Sequence, residues 1–508
     1  MTVRSSLEKS DEIFKVEGVH DEGLKSTPRA GAELPESIRH MSETEILALR
    51  KRLVRKIDFR LMPMLILLFL LNILDRNNFT NARLGGLEED IGLTDHQYNT
   101  CLMIMYVGYL LFQFPSNVIL SRFPRPGIYL SVAGVLWGTV SSCMAAAHSY
   151  GSVIAIRFFL GFVEAPFFPG ALLMLTSWYA RSELPFRIAV LYAGNTLSNC
   201  FGGLIAAAVL GNMEGVAGLR AWRWLFILEG CITVVIAIIA GIVLPNYPKD
   251  AKWLSIEENE YAVWRIADEA AGVEDGEDGQ SVWVGAVQAL KDPKVYMLIL
   301  LQFSLLTGMA YTYFFPSIVK TLGYNKITTL LLTAPPYALA FFTSLGNSLH
   351  SGKTNERAFH IAIPLTVSML GNILCITLTS TAGRYASMFL MTLGVYSAFN
   401  VTLSWVSSTI PRPKSKRAAA LAMVNSLANC THLFTSYLYP DSQKPRYLTA
   451  GITLSLFCGL CAATAMALRF YLKRENSKMD REEALIASGD PEATQTKRET
   501  GFGFRYTL

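Results

Sequence analysis

Residues 59–81 read FRLMPMLILLFLLNILDRNNFTN, an apolar run interrupted near its end by the charged pair Asp75 and Arg76. Its length matches the roughly 20 residues that an α-helix needs to cross about 30 Å of hydrocarbon. A charge costs about 2.5–3.5 kcal/mol at the bilayer centre on insertion scales, so charged residues in such helices usually have a role. The stretch therefore predicts a membrane-spanning helix that carries functional charges.

Similar apolar blocks recur along the rest of the chain. Five of them follow the first, a polar stretch covers 246–292, and six more come after it. The further blocks lie near 98–121, 128–147, 152–177, 186–210, 222–245, 294–319, 327–349, 358–379, 385–410, 416–439 and 447–472. This pattern predicts an all-α membrane protein with twelve transmembrane helices in two six-helix bundles.

The blocks divide the chain into five regions. These are a cytosolic N-terminal tail, an N-terminal six-helix bundle, a cytosolic central loop, a C-terminal six-helix bundle and a cytosolic C-terminal tail, at 1–56, 57–245, 246–293, 294–474 and 475–508. In the central loop, Ser255 and Glu258 have the spacing of a capping box that opens a short amphipathic helix. The acidic run GVEDGEDG at 272–279 predicts a flexible linker.

Basic residues indicate which loops face the cytosol. Cytosolic loops near membrane helices are enriched in Lys and Arg, and alternate segments of this chain follow that rule. The first 25 residues lack the apolar core of a signal peptide, which places the N-terminal tail inside. We therefore predict a multi-pass protein with both termini in the cytosol. No retention signal ends the chain, so we expect the plasma membrane, with the vacuolar membrane as the alternative.

The composition limits the possible partners. Charged residues make up 17% of the chain, against about 25% in soluble domains, and the mean hydropathy is +0.32. The net charge of +5 reflects the basic cytosolic loops, so it requires no nucleic-acid partner. The 8 cysteines all lie inside apolar blocks, where they read as small hydrophobic residues. The lipid bilayer is the partner that this composition predicts.

The fourth block, IAIRFFLGFVEAPFFPG at 154–170, also carries two charges. Arg157 and Glu164 are seven residues apart, so they lie on one helix face roughly 10 Å from each other. A guanidinium binds a carboxylate through two parallel hydrogen bonds, and a buried Glu beside it can gain a proton when substrate occupies the Arg. The alternative is that these charges pair with Asp75 and Arg76 only to lock the first helix against the fourth.

Other polar residues in apolar blocks are weaker candidates. Glu229 lies near the outer end of the sixth block, where interfacial anchoring is at least as good an explanation as transport. Single Ser and Asn side chains in membrane helices often make contacts between helices. The candidates in the second half are Tyr311, Tyr313, Asn400, Ser404, Ser407, Ser408, Asn425, Asn429 and His432.

Enzymatic chemistry is not predicted. The chain shows no nucleophile–base set, no metal-ligand cluster and no cofactor motif, so we expect no metal and no cofactor. Gly352-Lys353-Thr354 resembles the end of a phosphate-binding loop, but Asn347 stands where that motif has its first glycine. The sequence therefore predicts transport that does not use ATP.

Six helices, a long loop and six more helices resemble the major facilitator superfamily. RFFLGFVEAPFFPG at 157–170 looks like the helix-4 signature of the anion:cation symporter family, and Asp75-Arg76 matches its paired acid and base. GYLLFQFPSNVILSRF (108–123), WRWLFILEG (222–230) and KRAAALAMVNSLAN (416–429) look like the fungal branch of allantoate, nicotinate and pantothenate permeases. The loop HSGKTNER (350–357) departs from the acidic motif common in relatives.

The resemblance implies an anion site between the two bundles. Arg76 and Arg157 would bind a carboxylate, Glu164 would carry the proton, and Asp75 would be a second protonatable group. Tyr109 and Tyr311 would line the path, and we add Asn425 and Asn429 as candidate substrate-binding residues. Rocking of one bundle against the other would give alternating access to the site.

Three functions remain open at this point. The first is proton-coupled symport of a small organic anion, a carboxylate or vitamin-like compound, by a monomeric secondary active transporter. The second is export of a secondary metabolite or drug by proton antiport. The third is a nutrient sensor with transporter architecture. The Arg157–Glu164 pair favours the first.

Overall fold

The computed structural model describes residues 34–180, 183–271, 282–410, 414–487 and 505–508, and the secondary structure in these ranges is helical. The α-helices are α1 Glu43–Leu84, α2 Leu87–Ile91, α3 Asp95–Arg122, α4 Pro126–Cys143, α5 Tyr150–Glu164, α6 Phe167–Trp178, α7 Leu184–Asn212, α8 Ala221–Val243, α9 Ile256–Ala271, α10 Val282–Lys291, α11 Pro293–Gly308, α12 Phe315–Lys320, α13 Lys326–Thr354, α14 Ala358–Thr377, α15 Thr381–Thr409, α16 Lys414–Asn429, α17 Thr431–Thr435 and α18 Leu448–Ala487.

Within the described residues, 11 helices are long and apolar enough to cross a membrane. They cover every predicted span except the block at 416–439, which forms α16 and the short α17. α16 carries basic and amide side chains that lower its hydropathy, as its sequence KSKRAAALAMVNSLAN shows. We call the end of each bundle that carries the predicted cytosolic loops the inner end, and the opposite one the outer end.

Two spans are broken near the centre of the molecule. The fourth span consists of α5 and α6, which meet at Ala165 and Pro166 directly after Glu164. The seventh consists of α11 and α12, joined by a 3-10 turn over Ala310–Phe314. Proline has no N–H group and cannot continue the hydrogen bonding of a helix interior, so Pro166 explains the first break. Breaks of this kind can place polar side chains at mid-membrane depth.

Two glycines bring α3 and α5 into close contact. A Cβ atom at Gly108 would collide with the backbone of Phe158, and one at Gly161 would collide with the backbone of Met105. Small residues allow membrane helices to approach at backbone distance. The aromatic side chains of α3 therefore lie directly against the helix that carries Arg157 and Glu164.

The predicted boundaries differ from the structure at both ends. α1 begins at Glu43, capped by Ser42, so the first helix extends well into the predicted tail 1–56. α18 likewise continues to Ala487, past the predicted start of the C-terminal tail at 475. Residues 1–33 of the first tail, the linker 272–279 and residues 488–504 of the last tail lie outside the described residues.

The central loop contains two helices instead of one. α9 opens with the predicted capping box, since the amide of Ser255 donates to Glu258 at 3.1 Å and the Glu258 amide donates to the Ser255 hydroxyl at 3.3 Å. The Glu258 carboxylate also forms ion pairs with Lys56 at 2.8 Å and with Arg52 at 3.0 Å. These pairs hold α9 against the inner end of α1. The sequence did not indicate α10.

The two halves are joined at the outer end by a cluster around Arg83. This side chain is 6% exposed and pairs with Glu88 at 2.9 Å, Asp95 at 3.1 Å and Asp441 at 3.1 Å. Asp441 belongs to the loop before α18, in the other half of the chain. Nearby, the hydroxyl groups of Thr100 and Tyr437 lie 3.0 Å apart and also join the halves. These contacts tie the two halves together at the outer end.

Replacing Arg83 with alanine should open this end. Loss of several charged hydrogen bonds, each worth about 1.5–3 kcal/mol, should increase the accessible population by about tenfold or more. A cysteine at Ser317, which lines the cavity beside Arg83, reports this as faster labelling by a thiol reagent in detergent. Lys444→Ala is the matched control, because Lys444 pairs with Asp441 in its own half and is 46% exposed. Equal labelling of the two variants would contradict a gate at Arg83.

Candidate functional site

The centre of the site is an ion pair between the first and fourth spans. Arg76 Nε donates to Glu164 Oε2 at 2.6 Å, and the Glu164 side chain is fully buried. The Arg76 guanidinium also lies over the ring of Tyr109, 4.9 Å from its centroid. The break after Glu164 places this carboxylate at the end of α5, opposite Arg76 on α1. The structure therefore brings together three of the predicted site residues.

Arg157 is buried two turns before Glu164 and is bound differently. Its Nε donates to the carbonyl oxygen of Cys101 at 3.1 Å, and its guanidinium lies over Phe79 at 4.6 Å. Its Nη1 is buried without a hydrogen-bond partner, and no carboxylate pairs with Arg157 among the residues described. A fully buried guanidinium with a free N–H group is costly unless an anion binds it.

Asp75 points away from both arginines. Its carboxylate accepts hydrogen bonds from Ser141 on α4 at 2.9 Å and from Thr233 on α8 at 3.2 Å. Of the two ion pairs that would lock the first span against the fourth, one is present and the other is replaced by these neutral contacts. The consequence is that Glu164 pairs with Arg76 alone, and Arg157 has no ion-pair partner among the described residues.

An aromatic group closes the site from the opposite half. Tyr106 on α3 stacks on His432 of α17 with 4.1 Å between ring centroids, and meets Tyr313 edge-on at 5.8 Å. His432 is buried, and its Nδ1 lacks a hydrogen-bond partner. Tyr106 lies one helical turn from Tyr109, whose ring contacts the Arg76 guanidinium. The site is therefore charged on the N-terminal side and aromatic where the halves meet.

The other predicted residues lie further from this ion pair. Tyr311 is fully buried in the C-terminal half and packs against Phe315 at 5.8 Å, while Tyr313 makes the contact with α3. Asn429 donates to the backbone and side-chain oxygens of Asn425 on its own helix, at 2.8 and 3.0 Å. The structure does not place Tyr311, Asn425 or Asn429 in contact with either arginine.

Sequence reasoning missed a buried contact on the other face of α1. Glu229, expected near the membrane interface, is 3% exposed and accepts a hydrogen bond from Asn78 at 2.7 Å. The signal was the spacing: Asp75 and Asn78 are three residues apart on α1, while Glu229 and Thr233 are four apart on α8. Polar residues at these spacings share a helix face and meet across the interface.

The comparisons with known proteins agree on a family. The family described as the Major Facilitator Superfamily matches residues 65–435. A protein named "Uncharacterized transporter C1002.16c" from Schizosaccharomyces pombe is 31% identical over 492 residues, which is 96% of each chain. The MFS-type transporter cnsO of Penicillium expansum is 34% identical over 457 residues, 87% of each chain.

A solved structure shares the fold. A bacterial homologue of the human lysosomal transporter Spinster, in an inward-facing and occupied conformation, superposes with a TM-score of 0.61. The match covers 80% of this chain and 96% of the other, at 16% identity, and so concerns the fold alone. The predicted all-α fold of two six-helix bundles is confirmed.

Proposed function

The chain belongs to the major facilitator superfamily, and we propose that this membrane transporter moves a small organic anion together with protons. The anion is a carboxylate or vitamin-like compound, and transport is secondary active symport by alternating access. We place the chain in the anion:cation symporter family on the motif at 157–170, and in the fungal branch of allantoate, nicotinate and pantothenate permeases on the motifs at 108–123, 222–230 and 416–429. It works as a monomer in the plasma membrane with both termini in the cytosol.

One observation carries the proposal: of the two arginines, the half-buried Arg76 is paired with Glu164, and the fully buried Arg157 has no carboxylate partner among the described residues. Arg76 is satisfied by Glu164, whereas Arg157 has a free Nη1 and no acidic partner among the described residues. A carboxylate substrate would supply the missing negative charge. It would also bind a guanidinium through two parallel hydrogen bonds, a geometry that favours Arg over Lys.

The Arg76–Glu164 pair suggests how the proton is coupled. When a substrate carboxylate takes the place of Glu164 on Arg76, the displaced Glu164 is buried without its cation and gains a proton. Substrate and proton then cross together, because each stabilises the bound form of the other. Asp75, held by neutral hydroxyl groups, is the second protonatable group. Tyr109 lines the path, and Tyr311, Asn425 and Asn429 remain predicted members of the site.

The anion site can be tested by thermal unfolding of the purified protein. Small carboxylates are compared with their neutral amides, each added in large excess. A bound ligand at 100 times its Kd stabilises the folded state by about 2.7 kcal/mol. We expect at least one carboxylate, and none of the amides, to raise the Tm. Stabilisation by amides and carboxylates alike would exclude a carboxylate clamp.

A further inference from the structure

Residues 505–508, which read RYTL, return to the inner end of the C-terminal half and cross several of its helices. Asn476 on α18 pairs with the backbone of Tyr506 in both directions. Its Nδ2 donates to the Tyr506 carbonyl at 2.9 Å, and the Tyr506 amide donates to its Oδ1 at 2.9 Å. One amide side chain thus satisfies the N–H and the C=O of the same residue, as a neighbouring β-strand would.

The first two side chains of RYTL have their own partners. Arg505 pairs with Asp480 at 2.6 Å and with Glu483 at 2.7 Å, both near the C-terminal end of α18. Tyr506 is 8% exposed, and its hydroxyl lies 2.9 Å from Nζ of Lys294. The same ammonium group lies 4.8 Å from the centre of the tyrosine ring. The two acidic side chains suit a basic residue at position 505, and the Lys294 ammonium group suits an aromatic residue at position 506.

The last two residues reach two further helices through their backbone. Trp405, a fully buried residue near the end of α15, donates its indole N–H to the Thr507 carbonyl at 3.0 Å. The amide of Arg357, at the start of α14, donates to the carbonyl oxygen of Leu508. The segment therefore connects α18 and α11 with α14 and α15.

We propose that the inner face of the C-terminal half carries a binding groove for an extended peptide, which residues 505–508 occupy as a ligand in cis. The ligand class is a short chain with arginine followed by an aromatic residue. An occupied groove ties the inner ends of α14 and α15 to α18, and an empty one releases them. This inference is independent of the transported substrate, because no residue of the anion site contributes to it.

The groove gives the transporter a switch at its inner end. α15 carries Trp405 close to Ser404, Ser407 and Ser408, so a segment bound to Trp405 limits the movement of that part of the helix. Residues 505–508 belong to the same chain as the groove, so their binding is intramolecular and can correspond to an effective concentration of about 1 mM. Even a weak contact is then occupied most of the time, and a partner that bears a similar motif can displace it.

Hydrogen exchange measured by mass spectrometry on the full chain tests the groove directly. Asn476→Ala removes two hydrogen bonds of about 1 kcal/mol each, so the amides of Tyr506 and Arg357 should exchange about 30-fold faster. Ser477→Ala is the matched control on the same helix, because the Ser477 hydroxyl donates to the Lys473 carbonyl at 3.1 Å, a contact within α18. Its exchange should equal that of the unmodified chain.

A rescue experiment separates binding from folding. A chain shortened by residues 505–508 should show fast exchange at Arg357, and a synthetic peptide of residues 499–508 at about 1 mM should restore the protection. The same shortened chain with Asn476→Ala should not be rescued. Exchange at Arg357 that is indifferent to truncation, to Asn476→Ala and to the peptide would overturn the proposal. All readouts are made without substrate, so they stand even if no carboxylate is transported.

Discussion

Replacing Arg157 with lysine should reduce uptake of the transported carboxylate by about 10- to 100-fold, even though the positive charge is kept. Arg157 uses Nε to hold the carbonyl of Cys101 at 3.1 Å and keeps Nη1 free. A lysine has one nitrogen for both tasks, so it either leaves that carbonyl or fails to meet the substrate. An ammonium group also cannot reproduce the planar fork that binds a carboxylate through two bonds.

The matched control for this substitution is Arg60→Lys. Arg60 lies at the inner end of α1 and makes the same two kinds of contact, a hydrogen bond to the carbonyl of Val243 at 3.1 Å and a ring contact with Trp253 at 5.0 Å. Initial uptake rates in proteoliposomes, corrected for the amount of inserted protein, compare the two. Near-normal transport by Arg157→Lys would refute the carboxylate clamp.

Replacing Glu164 with glutamine should separate transport from the proton gradient. Glutamine keeps the size of the side chain but cannot take up a proton, and it leaves Arg76 without its carboxylate. Accumulation of the anion should fall to the level reached without a gradient. Exchange of internal for external anion should persist, because it needs the two arginines and no net movement of protons. The two assays are run on the same proteoliposomes.

Glu229→Gln is the matched control, since it neutralises another buried acid in the same half. Glu229 accepts its hydrogen bond from the neutral Asn78 at 2.7 Å, and the glutamine oxygen can accept the same bond. We expect this variant to keep gradient-driven accumulation. If Glu164→Gln also accumulates the anion with the gradient, Glu164 is a structural partner of Arg76 and the proton is carried elsewhere.

The sequence was sufficient for the 11 long apolar helices that the structure describes. Apolar blocks of the right length and the spacing of Arg157 and Glu164 depend only on helix geometry, so they could be predicted. Ion pairs between the first and fourth helices were only the alternative interpretation, and the sequence did not indicate that Glu164 would meet Arg76. The predicted span at 416–439 is the exception. Its helix α16 is too polar to count among the helices that are apolar enough to cross a membrane.

The remaining contacts depend on helix rotation and on distant chain segments, which periodicity does not specify. Asp75 lies next to Arg76 in sequence, yet the helix turns its side chain about 100° away, towards Ser141 and Thr233. The same rotation buries Glu229 against Asn78. Residues 505–508 meet partners from four helices, and no local pattern in the polar tail indicates such a docking site.

Uptake into proteoliposomes is the most direct test of the central claim, that this protein couples an organic anion to protons. A panel of small carboxylates is offered with and without an inward gradient of about one pH unit. One proton per anion should support about tenfold accumulation of a transported carboxylate, which collapses when the gradient is dissipated. Failure of every carboxylate, together with gradient-driven efflux of larger lipophilic compounds, would contradict the account and identify a proton-antiport exporter.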